Sequence, residues 1–138
     1  MATATLSAPP ALLTAEQFAA MPDDGRVTEL VKGVVIALPR HNFQHGKTCN
    51  NVARELGNHV VPRDLGHIIT NDAGVITERD PDSVRGPDVA FFSYEFFARD
   101  AAPDPYPEVA PDLVFEVRSP GDRTGAVMAK VAEYLDSG

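Results

Sequence analysis

Two compact apolar runs, at residues 89–92 and 113–117, constrain this chain most, because each carries an acid where burial makes a lone charge costly. Asp88 stands between Pro87 and the first run, and Glu116 lies inside the second, within Val114-Phe115-Glu116-Val117. Runs of this kind read as central strands buried on both faces. Charged side chains are seldom fully buried without a partner, so a fold built on these strands must supply a counter-charge or a cation. Lys130 follows Glu116 on a segment starting near Thr124 whose Val127, Val131, Tyr134 and Leu135 recur at helical spacing. It sits at the margin of that stripe, where its stem can lie on a sheet while its amine reaches past the edge. Two carboxylates and an amine at a sheet edge suit metal-assisted phosphodiester hydrolysis.

Each residue also has a plainer reading. Asp88 can be a turn aspartate after Gly86-Pro87, and Lys130 a surface lysine paired with Glu133 or Asp136. Glu116 resists such a reading best. Arg118, two residues on, is expected on the same strand face as Glu116, where it either binds phosphate or neutralises an acid. Glu29, in Thr28-Glu29-Leu30, is either a further carboxylate of the same pocket or an edge-strand residue facing water. His45 shares a helical stripe with Cys49 and Leu56, which suits a half-buried histidine with a satisfied ring. A His45/Cys49 zinc pair lacks a second pair of soft ligands, and Cys49 reads as an inert core thiol. His41, His59 and His67 show no constellation.

The remaining chain organises around these runs. Thr14 and Gln17 form a capping-box pattern for a short helix ending at Pro22. Residues 27–38 read as a hairpin broken at Lys32-Gly33. Residues 43–60 read as a helix bounded by Pro62, and residues 67–70 and 75–77 as short strands. Residues 101–111, with four prolines, form a loop. The first 11 residues, small and Pro-containing, are expected to be flexible, and residues 12–138 to form one domain. The end at Gly138, directly after a helix, suggests a C-terminally truncated sheet.

With 138 residues the chain can bury a proper core. A single cysteine fits a reducing, cytoplasmic compartment. No run reaches membrane-spanning length, and no signal peptide is apparent. The net charge of -8 is concentrated in residues 78–112, which hold nine acids and three arginines. This counts against a generic, tight DNA binder with a broad basic footprint. Nucleophile-elbow, phosphate-loop, dinucleotide-binding and HExxH patterns are missing.

The order RVTELVKGVVIALP, a histidine-bearing helix, GPDVAFFS, PDLVFEVRSPGD and a helix with Lys130 and Tyr134 resembles the Uma-type restriction endonucleases of the PD-(D/E)xK nuclease superfamily. The resemblance covers roughly residues 12 to 138 and rests chiefly on PDLVFEVRSP. It implies an α/β restriction-endonuclease-like fold, a central mixed β-sheet flanked by helices. It implies that Asp88 is the metal-binding aspartate and Glu116 the acid of the (D/E)xK step, with the main-chain carbonyl of Val117 as a further metal ligand. Arg118 occupies the usual lysine position, and Lys130 resembles a lysine that has migrated to the following helix. Glu29 and His45 match the family's ELxxG acid and helix histidine. The implied cofactor is Mg2+ or Mn2+ and the implied partner nucleic acid, with DNA favoured but not distinguished from RNA by any residue; a homodimer would suit the two-fold symmetry of a duplex. The competing expectation is a non-catalytic nucleic-acid- or protein-binding module on the same scaffold, which the acidic surface and Arg118 favour. A dimeric structural protein whose acidic 78–112 segment caps a partner is a third.

Overall fold

The computed structural model describes residues 11–138; the expected flexible N-terminus therefore lies almost wholly outside the described residues. Helix α1 (Ala15–Ala19) opens with the expected capping box: the Thr14 hydroxyl accepts from the Gln17 N–H, and the Gln17 side chain accepts from the Thr14 N–H. Strands β1 (Thr28–Val31) and β2 (Val34–Ala37) pair antiparallel around Lys32-Gly33. Both turn residues have positive φ, 49° and 77°, the signature of a two-residue turn that matches strand twist. A Cβ on Gly33 would also lie 2.5 Å from the Leu12 Cβ, so the segment before α1 needs this glycine to cross the turn.

Helix α2 (Phe43–Arg63) is capped by Asn42, whose side chain accepts from the His45 N–H at 2.9 Å. It runs one residue past Pro62, which was expected to bound it. A proline this close to the end removes only one late hydrogen bond, and left-handed Asp64 then closes the helix by donating its N–H to the Val60 and Val61 carbonyls.

Strands β3 (Gly66–Thr70) and β4 (Val75–Glu78) lead through a turn into β5 (Ser83–Arg85) and β6 (Val89–Ser93). β3 pairs with β6 and β4 with β5, so the four segments form one long antiparallel hairpin, bent at residues 71–74 on one arm and 86–88 on the other. At the bend it divides between two sheets, ordered β2-β1-β5-β4 and β3-β6-β7, where β7 is Leu113–Phe115. The expected central mixed sheet is thus two antiparallel sheets sharing a bent ribbon; all described pairings are antiparallel. The bend is close-packed: a Cβ on Gly86 would lie 2.6 Å from the Asp72 carbonyl oxygen. Strand β5 was not foreseen, since Ser-Val-Arg is too short to carry a period.

Ala15, Leu30, Ile76 and Val84 form one buried cluster, and Val75, Ala90 and Phe92 another. Helix α3 (Thr124–Asp136) buries Tyr134 and packs on β4. β1 leaves the ribbon from β5 and β7 leaves it from β6, on the side opposite the β4/β3 arm. The gap between β1 and β7, at the bend, is where the polar residues converge.

Candidate functional site

The bend places Asp88 at the mouth of β6, 7 % exposed. Its Oδ2 accepts from the Val117 N–H at 2.6 Å, which ties the end of β7 to the start of β6. Its Oδ1 lies 3.3 Å from Nε2 of buried His45. The turn reading of Asp88 fails here: its carboxylate faces inward, between two strands and a helix.

Glu116 lies one residue past β7, not within it, and is half-buried. β7 is an edge strand with Leu113 exposed, so the expectation of a strand buried on both faces is corrected. The reason is length: pairing with β6 ends at Phe115, which pairs with Val89. Arg118 consequently does not share a strand face with Glu116. It is exposed on the rim of the cleft and donates to the Thr124 hydroxyl at 3.0 Å.

Lys130 is the hub. Its Nζ donates to the Gly86 carbonyl at 2.9 Å and sits 2.8 Å from Glu29 Oε1 and 3.0 Å from Glu116 Oε1. The contact with Glu116 is an ion pair to a buried carboxylate oxygen. Glu133, a suggested partner of Lys130, pairs instead with Arg85. Glu29 is 3 % exposed, refuting its edge-strand reading, and also binds Arg85 at 2.9 Å and the Gly86 N–H at 3.0 Å. Glu29, Arg85, Asp88, Glu116, Val117 and Lys130 line one cleft of about 180 Å3.

Five acids line this cleft, Glu29, Asp72, Asp88, Glu116 and Asp122, against Lys130, Arg85, Arg118 and Arg123, and Arg85 is shared with Glu133. Burial, reinforced by Asp88 and Glu29 and opposed by Lys130, pushes the Glu116 carboxyl up to about 7. Asp72 rises for similar reasons, burial first and then Asp88. Burial works against the Lys130 ammonium, but Glu116 and Glu29 outweigh it and hold its pKa above the ordinary lysine value. Tyr134, beneath them, keeps its phenol protonated through burial and the nearby Glu116 and Glu29 carboxylates.

The Glu116 shift has a consequence for stability. The folded protein holds this proton more tightly than the unfolded chain, so metal-free stability falls as pH rises from about 4.5 through about 7. Glu116→Gln should remove that slope. Melts in EDTA should show the variant gaining up to ~3 kcal/mol over wild type at pH 8, and little at pH 5. Curves that run parallel across this range would refute the assignment.

Sequence reasoning missed three participants. His41 stacks on His45 with ring centroids 3.6 Å apart, and together with Asp88 they form a cluster that could hold a metal ion. His41 precedes the helix, so periodicity cannot reveal it; the four-residue spacing to His45 was the available signal. Asp72 and Arg85 are delivered by the bend, which no local pattern announces. Cys49 is half-buried, its Sγ 3.5 Å from His45 Nδ1, and burial with nearby Asp88 and Asp72 pushes its thiol up to about 11, as an unreactive cysteine requires.

Comparison with known proteins decides the family. Residues 15–138 match the family model Uma2, described as "Putative restriction endonuclease". The chain belongs to the Uma2 family. Its fold is also similar to the crystal structure of "a putative nuclease belonging to DUF820" from Anabaena variabilis ATCC 29413, with a TM-score of 0.77 and 19% sequence identity over 91% of this chain and 69% of that one. No curated protein matches. The Uma2 membership and this likeness establish the restriction-endonuclease-like fold expected from the sequence. No helix among the described residues is long and apolar enough to cross a membrane.

Proposed function

We propose that this Uma2 protein is a Mg2+-dependent endonuclease, able to use Mn2+, that hydrolyses nucleic-acid phosphodiester bonds. The observation that carries the reading is the position of Lys130 between Glu29 and Glu116, in one cleft with Asp88. The donor set fits a hard divalent cation: oxygen donors from Asp88, Glu116 and the Val117 carbonyl, in a pocket with more carboxylates than cations. When bound, such an ion polarises the scissile phosphate and lowers the pKa of a coordinated water.

The chain's own residues do the rest. The Val117 N–H fixes the Asp88 carboxylate. Glu29 and the Gly86 carbonyl hold the Lys130 ammonium at the cleft wall, where it offsets charge developing on the phosphate as the water oxygen bonds to phosphorus and the ester P–O bond breaks. Glu29 is therefore a positioning residue for Lys130. Arg118 and Arg123, exposed at the rim, form the local basic patch that an acidic protein needs to meet a polyanion. The family's description favours DNA as substrate. Residues 12–138 act as one domain in a reducing, cytoplasmic setting suited to the lone Cys49, and a homodimer would match the two-fold symmetry of a duplex.

The test is incubation with supercoiled plasmid, linear duplex and single-stranded RNA in EDTA, followed by excess Mg2+ or Mn2+. Cleavage should begin only on metal addition. Lys130→Met should lose most of it while still binding metal. Cleavage that persists in EDTA would contradict the proposal, and metal binding without cleavage of any substrate would favour the non-catalytic module.

A further inference from the structure

The His45 side chain is the observation least explained by the nuclease reading. It is 4 % exposed, and its Nε2 has no hydrogen-bond partner although Asp88 Oδ1 lies only 3.3 Å away. A buried polar nitrogen without a partner is costly, and such groups in native proteins mark an absent water or ion. The distance itself is informative. Two ligand atoms bound at ~2.1 Å to one tetrahedral ion are ~3.4 Å apart, and on an octahedral ion ~3.0 Å. A metal ion would therefore fit where the structure leaves Nε2 and Oδ1 facing each other without an aligned proton.

The surroundings support a nitrogen-rich site. One nitrogen of His41, one of His45 and one oxygen of Asp88 lie within 4.8 Å of one another. His41 is exposed and stacks on His45 with the rings 4° from parallel, so binding a shared ion would require its ring to tilt out of the stack, which its exposure permits. His45 Nδ1 faces the Cys49 sulfur at 3.5 Å, and a metal-bound imidazole commonly engages a partner through its other nitrogen. These residues line a cavity of about 400 Å3 on the α2 side of Asp88, adjoining the cleft that holds Glu116 and Lys130.

We infer that His41, His45 and Asp88 form a second metal site, for a borderline first-row divalent ion such as Zn2+ or Co2+, with Asp88 shared between it and the oxygen-lined cleft. Two imidazoles select against Mg2+ and favour such ions, while Glu116 and Val117 keep the neighbouring cleft hard. Three protein ligands leave coordination positions open to water, as in catalytic rather than structural sites. The inference deepens the nuclease reading through the shared Asp88, but its evidence is separate from that of Glu116 and Lys130.

Co2+ titration followed by visible absorption and calorimetry tests it. Wild type should bind two Co2+ per chain and develop a visible band. His41→Ala and His45→Gln should each lose the band and bind the corresponding ion at least about 100-fold more weakly, since even groups behind a ligand are worth about 10–100-fold. Both should keep Mg2+ affinity. Glu116→Gln should keep the band. A band and stoichiometry unchanged in both histidine variants would overturn the inference. Thermal melts would exclude misfolding of His45→Gln, and exposed His41 provides a variant with no core to disturb. If Mg2+ neither binds nor supports cleavage but the Co2+ band still depends on both histidines, the nuclease reading fails and this site stands.

Discussion

Asp88→Asn will lower metal-dependent cleavage by about 10³-fold or more, a loss comparable to or beyond removal of one preorganised transition-state donor. The carboxylate has one oxygen on the Val117 N–H and the other toward His45, and it borders both the cleft and the α2-side cavity. Asparagine preserves the shape and, with its carbonyl oxygen on Val117, most of the backbone tie, so the fold should survive. What it removes is the charge that any cation here needs. Single-turnover cleavage at saturating Mg2+ measures the effect, with circular dichroism as the control for folding. A folded variant that retains more than a tenth of wild-type activity would remove Asp88 from the chemistry.

Glu29→Ala should be the most destabilising single change at the site. Glu29 is buried and its two oxygens serve Arg85, Lys130 and the Gly86 N–H at once. Deleting it strands a guanidinium and an ammonium in a half-buried setting, where breaking a buried pair costs ~3–5 kcal/mol. Arg85 keeps Glu133 and Lys130 keeps Glu116, which sets the lower end of that range. Urea denaturation reads the loss, and Glu29→Gln, which retains an acceptor and a donor, should lose less. A cost below about 1 kcal/mol for Glu29→Ala would show that Arg85 and Lys130 are held by their other partners alone.

Much of this arrangement was legible from local pattern. Two apolar runs bearing acids gave β6 and its Asp88 mouth, and the stripe on α3 placed Lys130 at its margin, as the Lys130 contacts with Glu29 and Glu116 require. The capping box at Thr14 and the Lys32-Gly33 turn are matters of one or two residues, where chemistry dictates conformation. What escaped depends on the bend. Asp72 joins Asp88 in the lining of the cleft because Gly86 has no side chain to hold the two arms apart, and that approach is a property of the folded ribbon. Glu116 was placed inside a strand because Phe115-Glu116-Val117 looks continuous; the pairing ends at Phe115, where the Val117 N–H turns to Asp88 instead of a neighbouring strand. His41 lies outside any periodic element and meets His45 only because Asn42 caps the helix between them.

The most direct measurement is calorimetric titration of Mg2+ into the wild type, Asp88→Asn and Glu116→Gln under conditions where all three are folded. The account predicts a site in the wild type that is lost in Asp88→Asn and much weakened in Glu116→Gln. Binding of equal strength in all three proteins, or none in the wild type, would contradict it.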